Sequence, residues 1–177
     1  MTDPLLDGER VRELLHELGA RLVVRGIEGR MFLVGGAAMA LAFSRRRITR
    51  DLGAVFEPKI EIYDEAHAMA SDHGLPDDWL NDAVKGLLPN KVMPVEGTAS
   101  FSAPGLHVGV ASAEYLFAMK AMAARQETDG DDLRLLAAEL GITTPQQGLD
   151  LVERFYAPTR LSAKTQLLLE GLLTPDP

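Results

Sequence analysis

The sequence contains no cysteine. That absence excludes a disulfide framework, a thiolate metal site and a cysteine nucleophile. Nor does any apolar run approach the ~18–20 residues of a membrane-spanning helix. The opening residues, Met1 to Pro4, lack the apolar core of a secretory leader, so a cytoplasmic protein with no membrane partner is expected. Positive charge is scarce: 18 Lys and Arg stand against 26 Asp and Glu, a formal net charge of −8. Such a chain is not coated for non-specific nucleic-acid binding, although a local basic patch at a site remains open. Internal repeats, low-complexity tracts and interdomain linkers are also missing. What is present is a globular composition, 46% hydrophobic over 177 residues, enough to bury a core without staples. A single domain over residues 1–177 is expected, with an α/β part at 1–111 and a helical part at 112–177.

Asp3 and Pro4 read as a cap and first helical position. Val11, Leu14, Leu15, Leu18 and Leu22 then repeat at helical spacing, so a helix is predicted over 4–25. Met31 to Val34 is a short apolar run stopped by Gly35 and Gly36, a buried strand entering a turn. An alanine-rich helix follows at 37–43. A second strand is predicted at 52–56, a helix at 59–73, and a short helix from Pro76 to about Val84 with Trp79, the only tryptophan, as a packing anchor. Lys91–Val95, Ala99–Ser102 and Leu106–Val110 read as strands. Helices are then predicted from Ser112 to about Gln126, at 131–140, from Thr144 to near Pro158, and at 162–172.

The most informative spacing joins Gly35-Gly36 to Asp51 across fourteen residues. A glycine pair between strand and helix lets the backbone approach a phosphate closely, and a helix N-terminus offers N–H donors to an anion. Asp51, opening the next strand, can present a carboxylate to Mg²⁺ beside the same phosphates. The same glycines serve equally as a plain strand-to-helix turn. Residues 51 and 53 share a strand face, and an acid pair would need a carboxylate where Gly53 stands. Arg45, Arg46, Arg47 and Arg50 form the dense positive patch of this acidic chain. They suit bidentate phosphate contacts, Arg47 to a nucleotide and Arg45, Arg46 and Arg50 to an RNA backbone, or they are a solvated loop. Lys120 sits among Leu116, Phe117, Met119 and Ala123 as a phosphate-pairing or snorkelling cation. His16, His67, His73 and His107 show no metal-ligand spacing, and Glu96 is a candidate third carboxylate.

Phe32 to Leu41 followed by Arg47 to Phe56 resembles the minimal nucleotidyltransferase family, and is similar in particular to nucleotidyltransferase-type toxins of bacterial toxin–antitoxin systems. The resemblance extends to Ala111–Lys120, Arg125, Asp129, Asp131 and Asp132, so that it spans roughly residues 30–140. It implies an α+β (mixed α/β) fold, a polymerase-β-like nucleotidyltransferase sheet with a helical C-terminal half. It places Gly35 and Gly36 on a nucleoside triphosphate (ATP or another NTP), Asp51 on Mg²⁺, and Lys120 and Asp132 in the nucleotide site. Asp51, Lys120 and the residue at position 53 would be catalytic, with positions 51 and 53 holding the metal. It further implies transfer of NMP to an RNA acceptor, tRNA at its 3′ end, with an antitoxin protein as a possible partner. Thr49 matches a hydroxyl at which related toxins are silenced by phosphorylation. Gly53 departs from the pattern, since a second metal acid belongs there. Either a natural pseudoenzyme or a chain inactivated by an Asp→Gly substitution is implied. A non-catalytic partner-binding protein and a small-molecule (antibiotic) nucleotidyltransferase are the rival functions.

Overall fold

A computed structural model of the chain describes residues 5–43, 47–89 and 99–174. The described residues divide into two compact units. The first runs to Gly86 and resumes for the last two strands, to Ala111. The second holds Leu87 and the helices from Ser112 onward.

The first unit contains helix α1 (Gly8–Val24), strand β1 (Gly29–Leu33), the short helix α2 (Gly35–Ala38) continued by a π-helical turn (Met39–Phe43), and β2 (Leu52–Glu57). Then come α3 (Lys59–His73), β3 (Leu80–Asn81), β4 (Ala99–Ala103) and β5 (Leu106–Val110). The sheet order is β3-β2-β1-β5-β4. At its centre β1 pairs antiparallel with β2 and parallel with β5. The outer pairs are β2–β3, parallel, and β4–β5, antiparallel. Met31, Phe32 and Leu33 are buried, as a central strand covered on both faces requires. The predicted stripe of α1 (Val11, Leu14, Leu15, Leu18, Leu22) is wholly buried. An ion pair, Arg21 to Asp72 at 2.6 Å, and a hydrogen bond between Glu17 and the His73 ring at 2.7 Å tie α1 to α3.

Two predicted elements differ here. Helix α1 begins at Gly8, not at residue 4; Asp3 and Pro4 lie outside the described residues. Asp7 caps it, its carboxylate accepting from the Arg10 N–H at 2.8 Å. Leu6, just before, exchanges two backbone hydrogen bonds of 2.8 Å with Thr49, and that isolated antiparallel bridge keeps Leu6 out of the helix. The helix predicted from Pro76 is also absent. The indole of Trp79 is fully buried and donates to the Ala66 carbonyl at 2.9 Å, while the Trp79 carbonyl accepts from Leu52 N–H at 2.6 Å. Pairing with β2 thus draws Leu80 and Asn81 into a strand, and a 3₁₀ turn (Ala83–Leu87) follows it. The strand predicted at Lys91–Val95, and Glu96, lie outside the described residues.

The second unit packs α4 (Ala113–Ala123), α5 (Gln126–Leu140), α6 (Pro145–Phe155) and α7 (Ala163–Leu173). Ser112 caps α4, Thr144 and Gln147 form a reciprocal capping box on α6, and Ser162 caps α7. Helix α4 stops earlier than predicted, at Ala124, whose φ of +49° is left-handed. Helix α5 accordingly starts five residues sooner than residue 131. The Tyr156 hydroxyl donates to the Leu87 carbonyl, and α6 ends at Phe155 rather than near Pro158. Among the described residues no helix is long and apolar enough to cross a membrane. The mixed five-stranded sheet with flanking helices is the α+β class expected.

Candidate functional site

The apolar run of β1 ends at Leu33, and the chain turns sharply through Val34 and Gly35. Val34 N–H donates to the Gly53 carbonyl at 3.0 Å, so the turn is fastened to β2. Gly35 has φ +62°, a conformation that residues with a Cβ adopt only under strain. Gly36 is required for a different reason. A Cβ there would lie 2.5 Å from Thr49 Oγ1 and 3.0 Å from Thr49 Cβ. Thr49 is buried, and its hydroxyl donates to the Asp51 carbonyl at 2.9 Å. One side chain therefore packs on the glycine turn and bonds the backbone of Asp51. No side chain caps α2 at Val34, which leaves its first-turn N–H groups free of a side-chain acceptor.

Asp51 is exposed at the entrance to β2. Its Oδ2 accepts from Asn81 Nδ2 at 2.7 Å. Gly53 is paired with Asn81 in the parallel β2–β3 ladder, which places positions 51, 53 and 81 on one face. The space beside Gly53 is not open. A Cβ at 53 would lie 2.9 Å from Val84 Cγ1, on the 3₁₀ turn. Asn81 was not among the sequence-predicted site residues. Its only signal was a polar pair, Asn81-Asp82, directly after the apolar Trp79-Leu80.

The neighbouring Asp82 is held by two ammonium groups, Lys59 Nζ at 2.6 Å and Lys85 Nζ at 2.7 Å. It also accepts from the Tyr63 hydroxyl at 2.9 Å. Lys59 foremost, and then Lys85, hold the Asp82 carboxyl well below the usual carboxylate range. Of the arginine patch, Arg47 is half-buried and Arg50 exposed; Arg45 and Arg46 lie outside the described residues.

Lys120 and Asp132 belong to the second unit. The left-handed residue Ala124 turns the chain so that Asp129 and Asp132, one helical turn apart on α5, face back onto α4. Lys120 Nζ lies 2.6 Å from Asp129 Oδ1 and 2.8 Å from Asp132 Oδ2, and all three are buried. Arg125 Nε adds a bond of 3.1 Å to the second Asp129 oxygen. The Lys120 ammonium is thus engaged by two carboxylates in the described arrangement.

Whether this donor set suits Mg²⁺ is decided by its chemistry. Among the described residues no group of three His, Asp or Glu side chains is arranged to hold a metal. At the glycine turn Asp51 supplies a carboxylate, and the Val84 methyl stands 2.9 Å from where a Cβ at position 53 would lie. Mg²⁺ is commonly held by one or two carboxylates together with substrate phosphates and water. The residues therefore fit a cation that arrives on a triphosphate and do not form a resident cage. A cleft of about 820 Å³ in the first unit is lined by Asp7–Glu9, Arg12 and Ala40–Phe43, and its lining includes neither the turn glycines nor Asp51.

No family model matches the chain, and no curated protein matches it significantly. Its architecture is similar to the crystal structure of an antigenic nucleotidyltransferase-like protein from Paracoccidioides brasiliensis. The TM-score is 0.51 at 13% identity, over 92% of this chain and 95% of that one. The chain has the α+β fold of a nucleotidyltransferase-like protein.

Proposed function

We propose that this protein binds a nucleoside triphosphate with Mg²⁺ at the Gly35-Gly36 turn, in the manner of a nucleotidyltransferase, and that its transfer step is crippled at position 53. The observation that carries this reading is the contact chain Gly36–Thr49–Asp51. It supports a turn that is open to a phosphate on one side, with the backbone that carries the Asp51 carboxylate held beside it. Asp51 would be the metal ligand from the protein, and the turn N–H groups would bind phosphate oxygens. When bound, Mg²⁺ supplies charge neutralisation to the triphosphate and a site for the attacking oxygen. The reaction joins an acceptor hydroxyl oxygen to the α-phosphorus as the bond to pyrophosphate breaks. The toxin resemblance suggests an RNA acceptor, tRNA among them, with Arg47 and Arg50 able to contact phosphate. Loss of one electrostatic partner of a transition state commonly costs ~10²–10³ in rate, and a missing metal ligand should cost no less.

The test is calorimetry of each NTP with and without Mg²⁺, beside incubation with labelled NTP and total RNA. The native chain is expected to bind NTP in a Mg²⁺-dependent way that Asp51→Asn abolishes, with little transfer. Absence of NTP binding, or rapid transfer by the native chain, overturns the reading. A second reading, a non-catalytic nucleotide binder within a toxin–antitoxin pair, is favoured by the Val84 methyl beside Gly53. It gains if the Gly53→Asp/Val84→Ala chain binds Mg·NTP yet labels no RNA.

A further inference from the structure

We propose that Asn81 is a positioning residue that orients the Asp51 carboxylate, an inference that rests on the nucleotide-binding reading above. Asp51 is exposed and stands just before β2, so little else restrains its side chain. The Asn81 amide is itself locked on three sides. Its Oδ1 accepts from the Ala83 N–H at 3.2 Å, and its Nδ2 donates to the Asp78 carbonyl at 3.2 Å and to Asp51 Oδ2 at 2.7 Å. A backbone N–H only donates, so the amide oxygen must face Ala83 and the NH₂ must face Asp51. The amide cannot flip without setting two donors against each other. The shortest of its bonds goes to the carboxylate.

The register explains how the contact arises. Gly53 and Asn81 occupy one rung of the β2–β3 ladder, and Asp51 is two residues earlier on the same face. With no side chain at 53, the amide of 81 reaches Asp51 across that rung. A neutral donor engages Oδ2 and leaves Oδ1 for a cation. A carboxylate at 81 would instead place two anions at hydrogen-bond distance, and a divalent cation would relieve that repulsion.

The bland role for Asn81 is to close the turn from Asp78 to Ala83. Asn81→Asp separates the two roles, because it keeps an acceptor for the Ala83 N–H and loses the donor to Asp51. Mn²⁺ titration followed by electron paramagnetic resonance, without nucleotide, reads the difference. At least a tenfold gain in Mn²⁺ affinity is expected for Asn81→Asp, with a melting temperature that falls in chelator and recovers with Mn²⁺. Adding Asp51→Asn should erase both effects. In a second arm, Asn81→Ala should weaken Mg·ATP binding about tenfold and leave metal-free ATP binding unchanged. Unchanged Mn²⁺ affinity and stability in Asn81→Asp, or native Mg·ATP affinity in Asn81→Ala, overturns the proposal. If the native chain binds no ATP at all, the nucleotide reading falls, while the Mn²⁺ arm still decides whether Asn81 governs Asp51.

Discussion

Replacing Lys120 with methionine tests the helical unit most directly. The side chains of Lys120, Asp129 and Asp132 are 7%, 4% and 6% exposed. Methionine keeps most of the volume and removes the ammonium. Two carboxylates then remain buried without the ammonium between them, and Arg125, whose own side chain is 65% exposed, still reaches Asp129. Breaking a buried ion pair from one side commonly costs ~3–5 kcal/mol, because the remaining charge is left uncompensated. For a chain of this size each 1 kcal/mol moves the melting temperature by ~2–4 °C. A fall of roughly 6–20 °C is therefore expected in thermal melts followed by circular dichroism. The stabilising quantity is the match of charges rather than the ions themselves, so Lys120→Met combined with Asp129→Asn and Asp132→Asn should recover most of the loss. A single variant that melts within ~2 °C of the native chain, less than 1 kcal/mol by the same conversion, would refute this account. So would a triple variant no more stable than the single one. The outcome also governs any nucleotide-binding experiment at this position, which must be run where the variant is still folded.

Gly36→Ala should destabilise by ~1–3 kcal/mol through overpacking, since the new Cβ falls 2.5 Å from Thr49 Oγ1; Thr49→Ala in the same chain should return part of it, and an additive double-mutant cycle would contradict the contact. Gly53→Asp should lower stability because its Cβ meets the Val84 methyl at 2.9 Å, and Val84→Ala should relieve the loss in urea titrations. Asp82 is more acidic in the fold than in the unfolded chain, so its contribution is complete above the ordinary value of 3.8 and fades as the pH falls below it. Asp82→Asn should remove that part of the acid destabilisation; identical acid limbs in the two chains would contradict it. Burial pushes the Tyr115 hydroxyl up to about 12, so the unfolded chain ionises first and stability should drop as the pH climbs from the ordinary 10.0 toward 12, with a shallower slope in Tyr115→Phe.

The legible part of the fold is local. The predicted helix 59–73 and strand Leu106–Val110 coincide with α3 and β5, because proline, glycine and short apolar runs punctuate them. The meeting of Gly35, Gly36, Thr49 and Asp51 also follows from spacing, since one strand, one turn and the next strand must bring them together. Pairing partners far along the chain are what the sequence conceals. Residues 76–84 have local helical character, yet Trp79 and Leu80 are captured by Ala66 and Leu52. That capture carries Asn81 to Asp51 across thirty residues. Leu6 is likewise drawn from a predicted helix by Thr49.

Gly53 shows why such distant contacts change a functional argument. Along the sequence it is one missing acid in the pattern that the resemblance implies, which a single substitution would supply. In the fold two neighbours use the missing side chain. The Val84 methyl stands 2.9 Å from where a Cβ would begin, and the Asn81 amide donates to Asp51 Oδ2. A simple deletion of a ligand leaves a hole and an unpaired carboxylate. Here the position is packed and the carboxylate is partnered. Building a two-carboxylate site here therefore means changing Val84 as well as Gly53, and loosening the grip of Asn81 on Asp51. A Gly53→Asp chain that stays inactive would show only that one of three coupled positions had been altered, whereas activity first appearing in Gly53→Asp/Val84→Ala would identify the methyl as the obstacle.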